Sequence, residues 1–568
     1  MDMQNGSGGK ERCGPADAGS TQSDRTGAPR RCDSHMLGNA SVGSMTEYAF
    51  GERYAVVSGC AEASYAAAAC LDAGGSVVDA AIAASAVLCV VLPQSTALGG
   101  DLFALVRQEP GGHIFAVNAS GGAPHRATVE AYRRLGQVRV PSAGPLSIQA
   151  PGLVAGWQAL ADRWARRPLA ELLDPAIRLA HGGSRVGARL ATAIANRRGI
   201  FGALPGWRSL FAPGGQWLTE GDSLVQTALA RTLQRIAERG ARGFYEGPVA
   251  RDIAQTVQHA GGLLEEDDLT AVKAEIVPPL AVRYRDVEVL TQPPVSQGAV
   301  LLRALRLLAL DVPCPRALEE AELWARAART LRQAFEERLA LLGDRGEARA
   351  AAMAMVDGRR EGPAVAGEFT ANPGPDTTTV SVIDASGNAA ALIQSVYSDF
   401  GSGVLAAESG VLLNNRLSAF FLDPKHPNCL APRRRTMHTL HTFMVRDAEA
   451  LRWAGGSPGA DHQPQVNLQV LVRLIDLGQA PSVAVAAPRW STTPGTKPDD
   501  LAAASRASVQ CEGGVTAEMV QAFIAAGFDV VQDSGIQLGS SKLIGEGPHR
   551  GSVAAWADRR REGFVVAR

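Results

Sequence analysis

The pattern of apolar and polar positions changes about two-thirds of the way along the chain. Before residue 376 the apolar positions recur mostly at helical spacing, and an alanine-rich segment breaks at Gly74-Gly75 and resumes over Val77–Val91. After residue 376 short β-branched or alternating runs dominate, which is typical of strands. A helix-rich first part followed by a strand-rich second part predicts an α+β fold of packed layers.

The individual elements follow from the same patterns. In the first part we predict a strand over Tyr54–Gly59, a hairpin of Leu102–Arg107 and Ile114–Asn118, and mostly amphipathic helix over residues 160–270. The remaining predictions are strands at Arg283–Val289, Leu290–Gln292, Thr377–Ile383, Ala389–Val396, Gly410–Leu413, Leu440–Val445 and Leu451–Trp453, and helices at Ala317–Leu342, Asn467–Leu477 and Thr516–Ala526.

Composition and charge narrow the class of protein. Of the 568 residues, 46% are apolar and 20% are charged, and the formal net charge is −1, so neither nucleic acid nor membrane is expected as a partner. Residues 1–45 have no apolar run, and we expect a disordered tail without a secretory signal. The eight cysteines are scattered without CxxC spacing. This usage predicts reduced thiols in the cytoplasm and no zinc site.

Three consecutive threonines, Thr377-Thr378-Thr379, open a predicted strand after a Gly/Pro-rich loop. A threonine hydroxyl is a poor nucleophile unless a base lies beside it, and a cut just before the threonine makes its own α-amine that base. If the Asp376–Thr377 bond is cut, the chain is a self-activating amide hydrolase. Because threonine is common in strands, a purely structural strand is the alternative.

The turn after the threonine strand determines what lies opposite Thr377. Residues 384–388 form a hairpin turn by composition, and a three-residue loop places Ser395 opposite Thr377. Directly opposed residues have Cβ atoms about 4.5–5.5 Å apart, so Ser395 would orient or polarise the Thr377 hydroxyl. A two-residue loop would bring Val396 there instead.

A nucleophile also needs donors for the developing oxyanion. The segment 455–460 is a glycine-rich turn between a predicted strand and a helix-like segment. Backbone N–H groups in such a turn suit this purpose because small residues let a substrate carbonyl approach.

A series of ordered motifs runs along the chain: Gly74-Gly75-x-x-x-Asp79, Pro93-Gln94-x-x-x-Leu98-Gly99-Gly100, Pro151-Gly152-x-x-x-Gly156-Trp157, Pro293-Pro294-x-Ser296-x-Gly298, Thr377-Thr378-x-x-Ser381, Phe400-Gly401-Ser402-Gly403, Glu408-Ser409-Gly410-x-x-Leu413-Asn414-Asn415 and Gly456-Ser457-Pro458-Gly459. Through these motifs the chain resembles the γ-glutamyltranspeptidase family, a branch of the N-terminal-nucleophile hydrolases, over about residues 54–490.

The resemblance implies a four-layer αββα sandwich built from both products of a self-cleaved precursor. Cleavage at Asp376–Thr377 would give a large subunit, 46–376, and a small subunit, 377–568, that form one composite domain. Thr377 would attack an amide or γ-glutamyl bond, with the backbone N–H groups of Gly459 and Ala460 as the oxyanion hole. The acyl-enzyme would pass its acyl group to water or to an amine. No metal or organic cofactor is required, and an oligomer of such two-chain units is possible.

Substrate recognition departs from the family pattern. The arginine that grips the α-carboxylate of a γ-glutamyl substrate falls at Ser120, and the arginine that related amidases place before Ala-Pro falls at Gly122. The family's other recognition positions, an aspartate, an asparagine and a pair of serines, hold Ala419, Tyr397, Met437 and His438. These changes remove charge, so we expect a substrate other than a standard γ-glutamyl group.

Other motifs are similar to the bacterial subgroup that includes oxamate amidohydrolases. There Arg416 would supply a carboxylate clamp from the other subunit, or it would simply pair with a neighbouring aspartate. The candidate substrate-binding residues are Ser120, Tyr397, Asn415, Arg416, His438 and Asp461. The predicted substrate is a small oxamate-like or other acyl amide, and a true γ-glutamyl transferase or glutathione hydrolase is the alternative.

Two rival interpretations belong to other classes. A catalytically inactive homologue acting as a binding protein fits the missing clamps. A metal hydrolase would use His438, His441, Asp461 and His462. Two histidines at i and i+3 on a strand point to opposite faces, however, which argues against shared ligation.

Overall fold

The computed structural model describes residues 46–204, 206–344, 346–359, 377–448, 450–492 and 507–568. The helices are α1 (Ala61–Asp72), α2 (Val77–Val91), α3 (Val129–Arg134), α4 (Leu153–Trp164), α5 (Leu169–Gly182), α6 (Ala188–Phe201), α7 (Trp207–Phe211), α8 (Thr227–Arg239), α9 (Arg242–Tyr245), α10 (Pro248–His259), α11 (Glu266–Thr270), α12 (Gly298–Asp311), α13 (Glu320–Leu341), α14 (Ala348–Val356), α15 (His462–Ile475), α16 (Pro481–Ala486) and α17 (Ala517–Ala525).

The strands are β1 (Thr46–Gly51), β2 (Tyr54–Ser58), β3 (Asp101–Gln108), β4 (His113–Ala119), β5 (Ser184–Arg185), β6 (Ser223–Leu224), β7 (Glu275–Val277), β8 (Leu280–Tyr284), β9 (Val287–Thr291), β10 (Thr378–Asp384), β11 (Ala389–Ser395), β12 (Leu405–Ala406), β13 (Val411–Leu412), β14 (Phe443–Asp447), β15 (Ala450–Gly456), β16 (Trp490–Thr492), β17 (Ser508–Glu512), β18 (Asp529–Asp533), β19 (Lys542–Glu546), β20 (Val553–Asp558) and β21 (Phe564–Ala567).

Two seven-stranded antiparallel sheets face each other at the centre. Sheet I has the order β21-β2-β10-β11-β3-β4-β7, and sheet II has the order β1-β20-β19-β15-β14-β9-β8. Residues alternate between the two faces of a strand. On β10, Val380 and Val382 join the core beneath the helices, whereas Ile383 joins a separate core with Met444 and Ile544 of sheet II.

Helices cover the outer face of each sheet. Small side chains on α1 and α2 allow close packing against sheet I, and every residue of α2 is buried. A capping box between Ser76 and Asp79 starts α2 directly after the Gly74-Gly75 break. Helices α12, α13 and α15 cover sheet II. These four layers confirm the predicted αββα sandwich.

Strands from both sides of residue 377 contribute to each sheet. In sheet I, β10 lies between β2 and β11, and in sheet II, β14 lies between β9 and β15. Residues Ser44–Arg568 form one compact unit. The division into subunits 46–376 and 377–568 stays a prediction, and both Asp376 and the tail 1–45 lie outside the described residues.

Several predicted boundaries are wrong. Residues 283–292 hold a turn inside the hairpin β8–β9, because Arg285 adopts a φ of 57°. Strand β14 begins at Phe443 and not at Leu440, because Thr442 N–H donates to the Gln292 side chain and not to a strand. Helix α15 begins at His462 and not at Asn467. Its Pro464 is compatible with a first helical turn, where no N–H donor is needed.

The structure also bears on membrane association and on the cysteines. Within the described ranges no helix is long and apolar enough to cross a membrane. The six cysteines in those ranges are all free thiols.

The turn between β10 and β11 provides a test of the fold. Gly387 has a φ of 88°, and a Cβ there would lie 2.9 Å from Arg107 Nη1. We expect Gly387→Ala to lower the free energy of unfolding by about 1–2 kcal/mol, the usual cost of left-handed backbone for an L-residue. Chemical denaturation measures this, with the exposed neighbour Ser386→Ala as the matched control. Equal midpoints for the two variants would contradict the assigned turn.

Candidate active site

The β10–β11 hairpin brings Thr377 and Ser395 together as predicted. Thr378 pairs with Gln394 and Ile383 with Ala389, which is the register of a three-residue loop. Thr377 Oγ1 donates a hydrogen bond to Ser395 Oγ at 3.1 Å, and both residues are at least 95% buried. The Tyr397 N–H also donates to Ser395 Oγ at 2.8 Å, which fixes the serine hydroxyl beneath the threonine.

The three threonines do not share one environment. By the alternation along β10, Thr378 faces the helices with Val380, whereas Thr377 and Thr379 face sheet II. Thr379 Cγ2 lies 3.7 Å from the place where a side chain on Gly456 would begin. The side chain of Thr377 therefore points toward the glycine-rich turn that ends β15.

That turn presents two N–H groups without partners. Gly459 and Ala460 have φ values of 126° and 47°, so both leave the strand conformation before α15 begins. Among the described residues, no group accepts a hydrogen bond from either N–H. Two further hydrogen bonds fix the turn. Ser457 Oγ accepts from Ser540 N–H, and the Ala460 carbonyl oxygen accepts from the Gln297 side chain.

A small cavity of about 20 Å³ lies between Thr377 and Pro458 of this turn. It shares Arg189, Arg561 and Glu562 with a larger cavity of about 750 Å³. The two cavities are therefore adjacent, and the smaller one, beside Thr377, has room for about one water molecule.

Arg416 is completely buried beside Tyr397. Its guanidinium lies 3.8 Å from the centre of the Tyr397 ring, and Nη1 donates to Thr439 Oγ1 at 3.2 Å. Nε is 3.9 Å from Asp101 Oδ2, which is a charge contact without a hydrogen bond. Among the described residues Nε and Nη2 have no hydrogen-bond partner. Tyr397 has a φ of 88°, a strained conformation of the kind that clusters at functional sites.

His438 and Asp101 form a neutral–anionic pair next to Arg416. His438 Nδ1 accepts from Leu440 N–H, so the proton lies on Nε2, which donates to Asp101 Oδ2 at 3.0 Å. Burial, with a smaller contribution from the charge of Arg416, lowers the pKa of His438 to about 4. The imidazole is therefore neutral at pH 7.

The other predicted substrate-binding residues have their polar groups engaged by the protein. The Asn415 amide donates to Ser142 O at 2.6 Å and accepts from Ser398 N–H at 3.1 Å. The Ser120 hydroxyl donates to Asn118 at 2.7 Å. Asp461 accepts from buried Arg338 of α13 at 3.2 Å. Asn415 thus fixes backbone around the site, Ser120 bonds a neighbouring side chain, and Asp461 pairs with Arg338.

Packing explains why Gly122 occupies the position at which related amidases have an arginine. A Cβ on Gly122 would lie 2.5 Å from the Arg433 carbonyl oxygen. The loop carrying Arg433 is bonded to this strand end, since Ala123 and Arg434 share a backbone hydrogen bond of 2.8 Å. No side chain fits there, and the clamp is absent for steric reasons as well as by composition.

The histidines of the metal alternative have separate partners. His438 and His441 precede β14 and do not lie on a strand, contrary to the prediction. His441 contacts Asn467 at 2.9 Å, and His462 contacts Ser491 at 2.6 Å. Across the described ranges no three His, Cys, Asp or Glu side chains come together as a possible metal site.

Sequence reasoning missed three charged residues of this region. Asp101 directly follows the Leu98-Gly99-Gly100 motif and was given no role, although it accepts hydrogen bonds from Gly121, Gly152, Gln149 and His438. Arg338 and Lys542 gave no signal, since a charged residue in an amphipathic helix or strand is normally exposed. Both are buried, Arg338 to 1% exposure and Lys542 to 3%.

Two facing antiparallel sheets between helical layers are the architecture of the N-terminal-nucleophile hydrolases. A solved structure described as cephalosporin acylase from Bacillus halodurans matches with a TM-score of 0.81 and 29% identity, over 94% of this chain and 99% of that chain. The family model described as gamma-glutamyltranspeptidase matches residues 63–567. The chain belongs to the γ-glutamyltranspeptidase family.

Two curated relatives are similar over most of their length. The glutathione hydrolase-like YwrD proenzyme of Bacillus subtilis (strain 168) is 33% identical over 92% of this chain and 100% of the relative. The oxamate amidohydrolase proenzyme of Klebsiella pneumoniae subsp. pneumoniae is 34% identical over 79% of this chain and 87% of the relative. Both relatives are proenzymes, and family members are amide hydrolases or acyltransferases.

The buried neutral histidines predict a pH dependence of stability. Burial lowers the pKa of His441 to about 3, below the value near 6.5 in an unfolded chain. The unfolded state therefore binds the proton first, and the stability present above pH 6.5 is lost as the pH falls. We expect the stability difference between wild type and His441→Gln to shrink by about 1–2 kcal/mol from pH 7 to 5.

Urea unfolding at several pH values measures this difference. The matched control is His113→Gln, at an exposed histidine. Parallel curves for wild type and His441→Gln would show that His441 is not held neutral.

Proposed function

We propose that this protein is a self-processing amidohydrolase or acyltransferase with Thr377 as its nucleophile. The observation that carries the proposal is the hydrogen bond of 3.1 Å from Thr377 Oγ1 to Ser395 Oγ, beside a turn with two N–H groups that have no described acceptor. Cleavage of the Asp376–Thr377 bond frees the α-amine, which then acts as the base.

Each group has a distinct part in the proposed reaction. The α-amine takes the Thr377 Oγ proton as Oγ bonds to the substrate carbonyl carbon, and Ser395 orients the hydroxyl. The N–H groups of Gly459 and Ala460, at the positive end of α15, stabilise the oxyanion. The proton passes to the leaving amine, and the acyl-enzyme is then resolved by water or by an amine acceptor. This route needs no metal or organic cofactor.

The proposed substrate is a small amide with an anionic acyl group of the oxamate type. Ser120 and Gly122 replace both family clamps, and a side chain at Gly122 would collide with Arg433. Arg416 supplies buried positive charge with unpartnered Nε and Nη2 hydrogens, which suits a carboxylate. Burial lowers the pKa of Arg416 to about 10, so it stays charged at pH 7.

The remaining predicted substrate-binding residues support the site in different ways. Tyr397 supports the guanidinium through its ring, and neutral His438 donates from Nε2 to Asp101, which orients the carboxylate that lies beside Arg416. Asp461 stays paired with Arg338. Asn415 fixes backbone through its side-chain amide, and the Ser120 hydroxyl donates to Asn118. Glutathione hydrolysis, the activity in the name of one relative, remains the second candidate. The cytoplasmic location also stays a prediction.

Self-cleavage is tested on a denaturing gel. Wild type should give two bands near about 40 and 20 kDa, at roughly 110 Da per residue, and the smaller one should begin with Thr377. Thr377→Ala should give one full-length band, because the attacking hydroxyl is gone. Thr378→Ala, which removes the neighbouring hydroxyl on the other face of β10, is the control and should still give two bands. Two bands from Thr377→Ala would refute the mechanism.

Substrate class is tested through Arg416. Arg416→Gln should lower kcat/KM for oxamate by about 10–100-fold, as expected for a lost charge-assisted hydrogen bond, and should affect a neutral acyl amide much less. Arg433→Gln, at a half-exposed arginine, is the charge-matched control. Equal losses on both substrates, or equal wild-type kinetics on oxamate and γ-glutamyl-p-nitroanilide, would contradict the anionic-substrate assignment.

A further inference from the structure

Lys542 is a buried amine that the reaction above does not use. It opens β19 and pairs with Gly456 of β15. Directly opposed residues project from the same face of a sheet, and Ile544, two residues on, lies in the core between the sheets. The Lys542 side chain therefore points from sheet II toward sheet I, where it lines the small cavity with Thr377.

The amine has only neutral hydrogen-bond partners. Nζ donates to Ser540 Oγ at 2.7 Å and lies 3.4 Å from the Ser540 carbonyl oxygen. In the part of the chain that the structure describes, it forms no ion pair with a carboxylate. A buried ammonium without such a partner is costly, so the site favours the neutral amine.

The buried charged side chains near Lys542 already neutralise one another as ion pairs. Asp558 pairs with Arg489 at 2.6 Å and with Arg560 at 3.1 Å, and Arg560 also pairs with Glu512 at 2.8 Å. Two guanidinium groups thus meet two carboxylates. A protonated Lys542 would add a third cation to this buried cluster.

The cavity side adds further positive charge. Arg189 and Arg561 line the cavity with Lys542, as does the carboxylate of Glu562. Burial and the charges of Arg561, Arg189 and Arg489 outweigh the attraction of Asp558 and lower the pKa of Lys542 to about 7. A large fraction of Lys542 is therefore neutral and able to accept a proton near pH 7.

Self-cleavage requires a base that the finished enzyme does not need. In the mature protein the α-amine of Thr377 accepts the hydroxyl proton, but in the precursor that nitrogen belongs to a peptide bond and cannot do so. Ser395 is a hydroxyl and is not basic. Lys542 is the neutral amine that shares a cavity with Thr377.

We infer that Lys542 accepts the proton of the Thr377 hydroxyl during self-cleavage, an inference that rests on the function proposed above. The proton passes from Oγ to Nζ, directly or through one water, as Oγ bonds to the carbonyl carbon of residue 376. The C–N bond then breaks, and the Thr377 nitrogen takes the proton from Nζ. One water molecule hydrolyses the resulting ester, which releases the carboxyl group of residue 376 and restores the hydroxyl.

Ser540 contacts both Lys542 and the proposed oxyanion turn. Ser540 Oγ accepts from Lys542, and Ser540 N–H donates to Ser457 Oγ of the turn at 3.0 Å. The turn that carries the proposed oxyanion donors is therefore connected to Lys542 through Ser540.

The test follows the cleavage of freshly translated full-length chain over time, on denaturing gels, from pH 5.5 to 8.5. The wild-type rate should rise with pH and level off near pH 7, as the neutral amine becomes the dominant form. Lys542→Met should cleave at least about tenfold more slowly and lose this inflection, since general bases contribute about 10²–10⁴-fold. Lys273→Met, at an exposed lysine, is the matched control and should follow wild type.

A stability measurement guards against misfolding of the variant. In the uncleaved Thr377→Ala background, Lys542 has a lowered folded-state pKa, so it destabilises the fold increasingly as the pH falls from 10.5 to 7. The Tm of Thr377→Ala/Lys542→Met, relative to that of Thr377→Ala, should therefore be higher at pH 6 than at pH 9.

The outcomes separate this inference from the proposed function. Wild-type cleavage without an inflection between pH 6 and 8, or an unchanged rate and pH profile in Lys542→Met, would overturn the role of Lys542 and leave Thr377 as nucleophile. A wild-type chain that is not cut before Thr377 would instead overturn the proposed function.

Discussion

The site depends on the register of one hairpin. Because Gly387 allows a three-residue loop, Ser395 and not Val396 lies opposite Thr377, and every inward-facing side chain on both strands follows from that pairing. The hairpin also lies inside sheet I, with β2 on one side and β3 on the other, so its register is fixed from both edges. A slip of one residue would bury Thr378 toward sheet II and turn Thr377 toward the helices.

Positively charged side chains are concentrated around Thr377. Arg416 lies on the Tyr397 side, Arg189 and Arg561 lie at the cavity, and Arg489 lies behind Lys542. Asp101 lies 3.9 Å from Arg416 Nε, and Asp558 pairs with Arg489, so each of these buried carboxylates balances part of this charge. This positive charge supports the proposed anionic acyl group and disfavours a further cation near Thr377.

Local features were predictable from the sequence, and long-range ones were not. The composition of residues 384–388 predicted Ser395 as the partner of Thr377, and the glycine run indicated the turn at residues 455–460. The start of α15 was missed because Pro464 and the glycines before it have the composition of a loop. Arg338 and Lys542 were missed because burial of a charged residue depends on partners distant in sequence, such as Asp461, Arg489 and Asp558. The family resemblance could not reveal them, since its motifs do not include them.

If the chain is cut before Thr377, as proposed, the interleaving of strands determines how the two products behave. Each sheet draws strands from both sides of residue 377, so the two products stay held together by the hydrogen bonds and the core of both sheets. The intact chain folds with its two halves at the high effective concentration of a tether. Once the tether is cut, an unfolded molecule can recover only by a bimolecular encounter. The proposed cleavage would therefore make folding irreversible, and the cleaved protein would persist because it unfolds slowly.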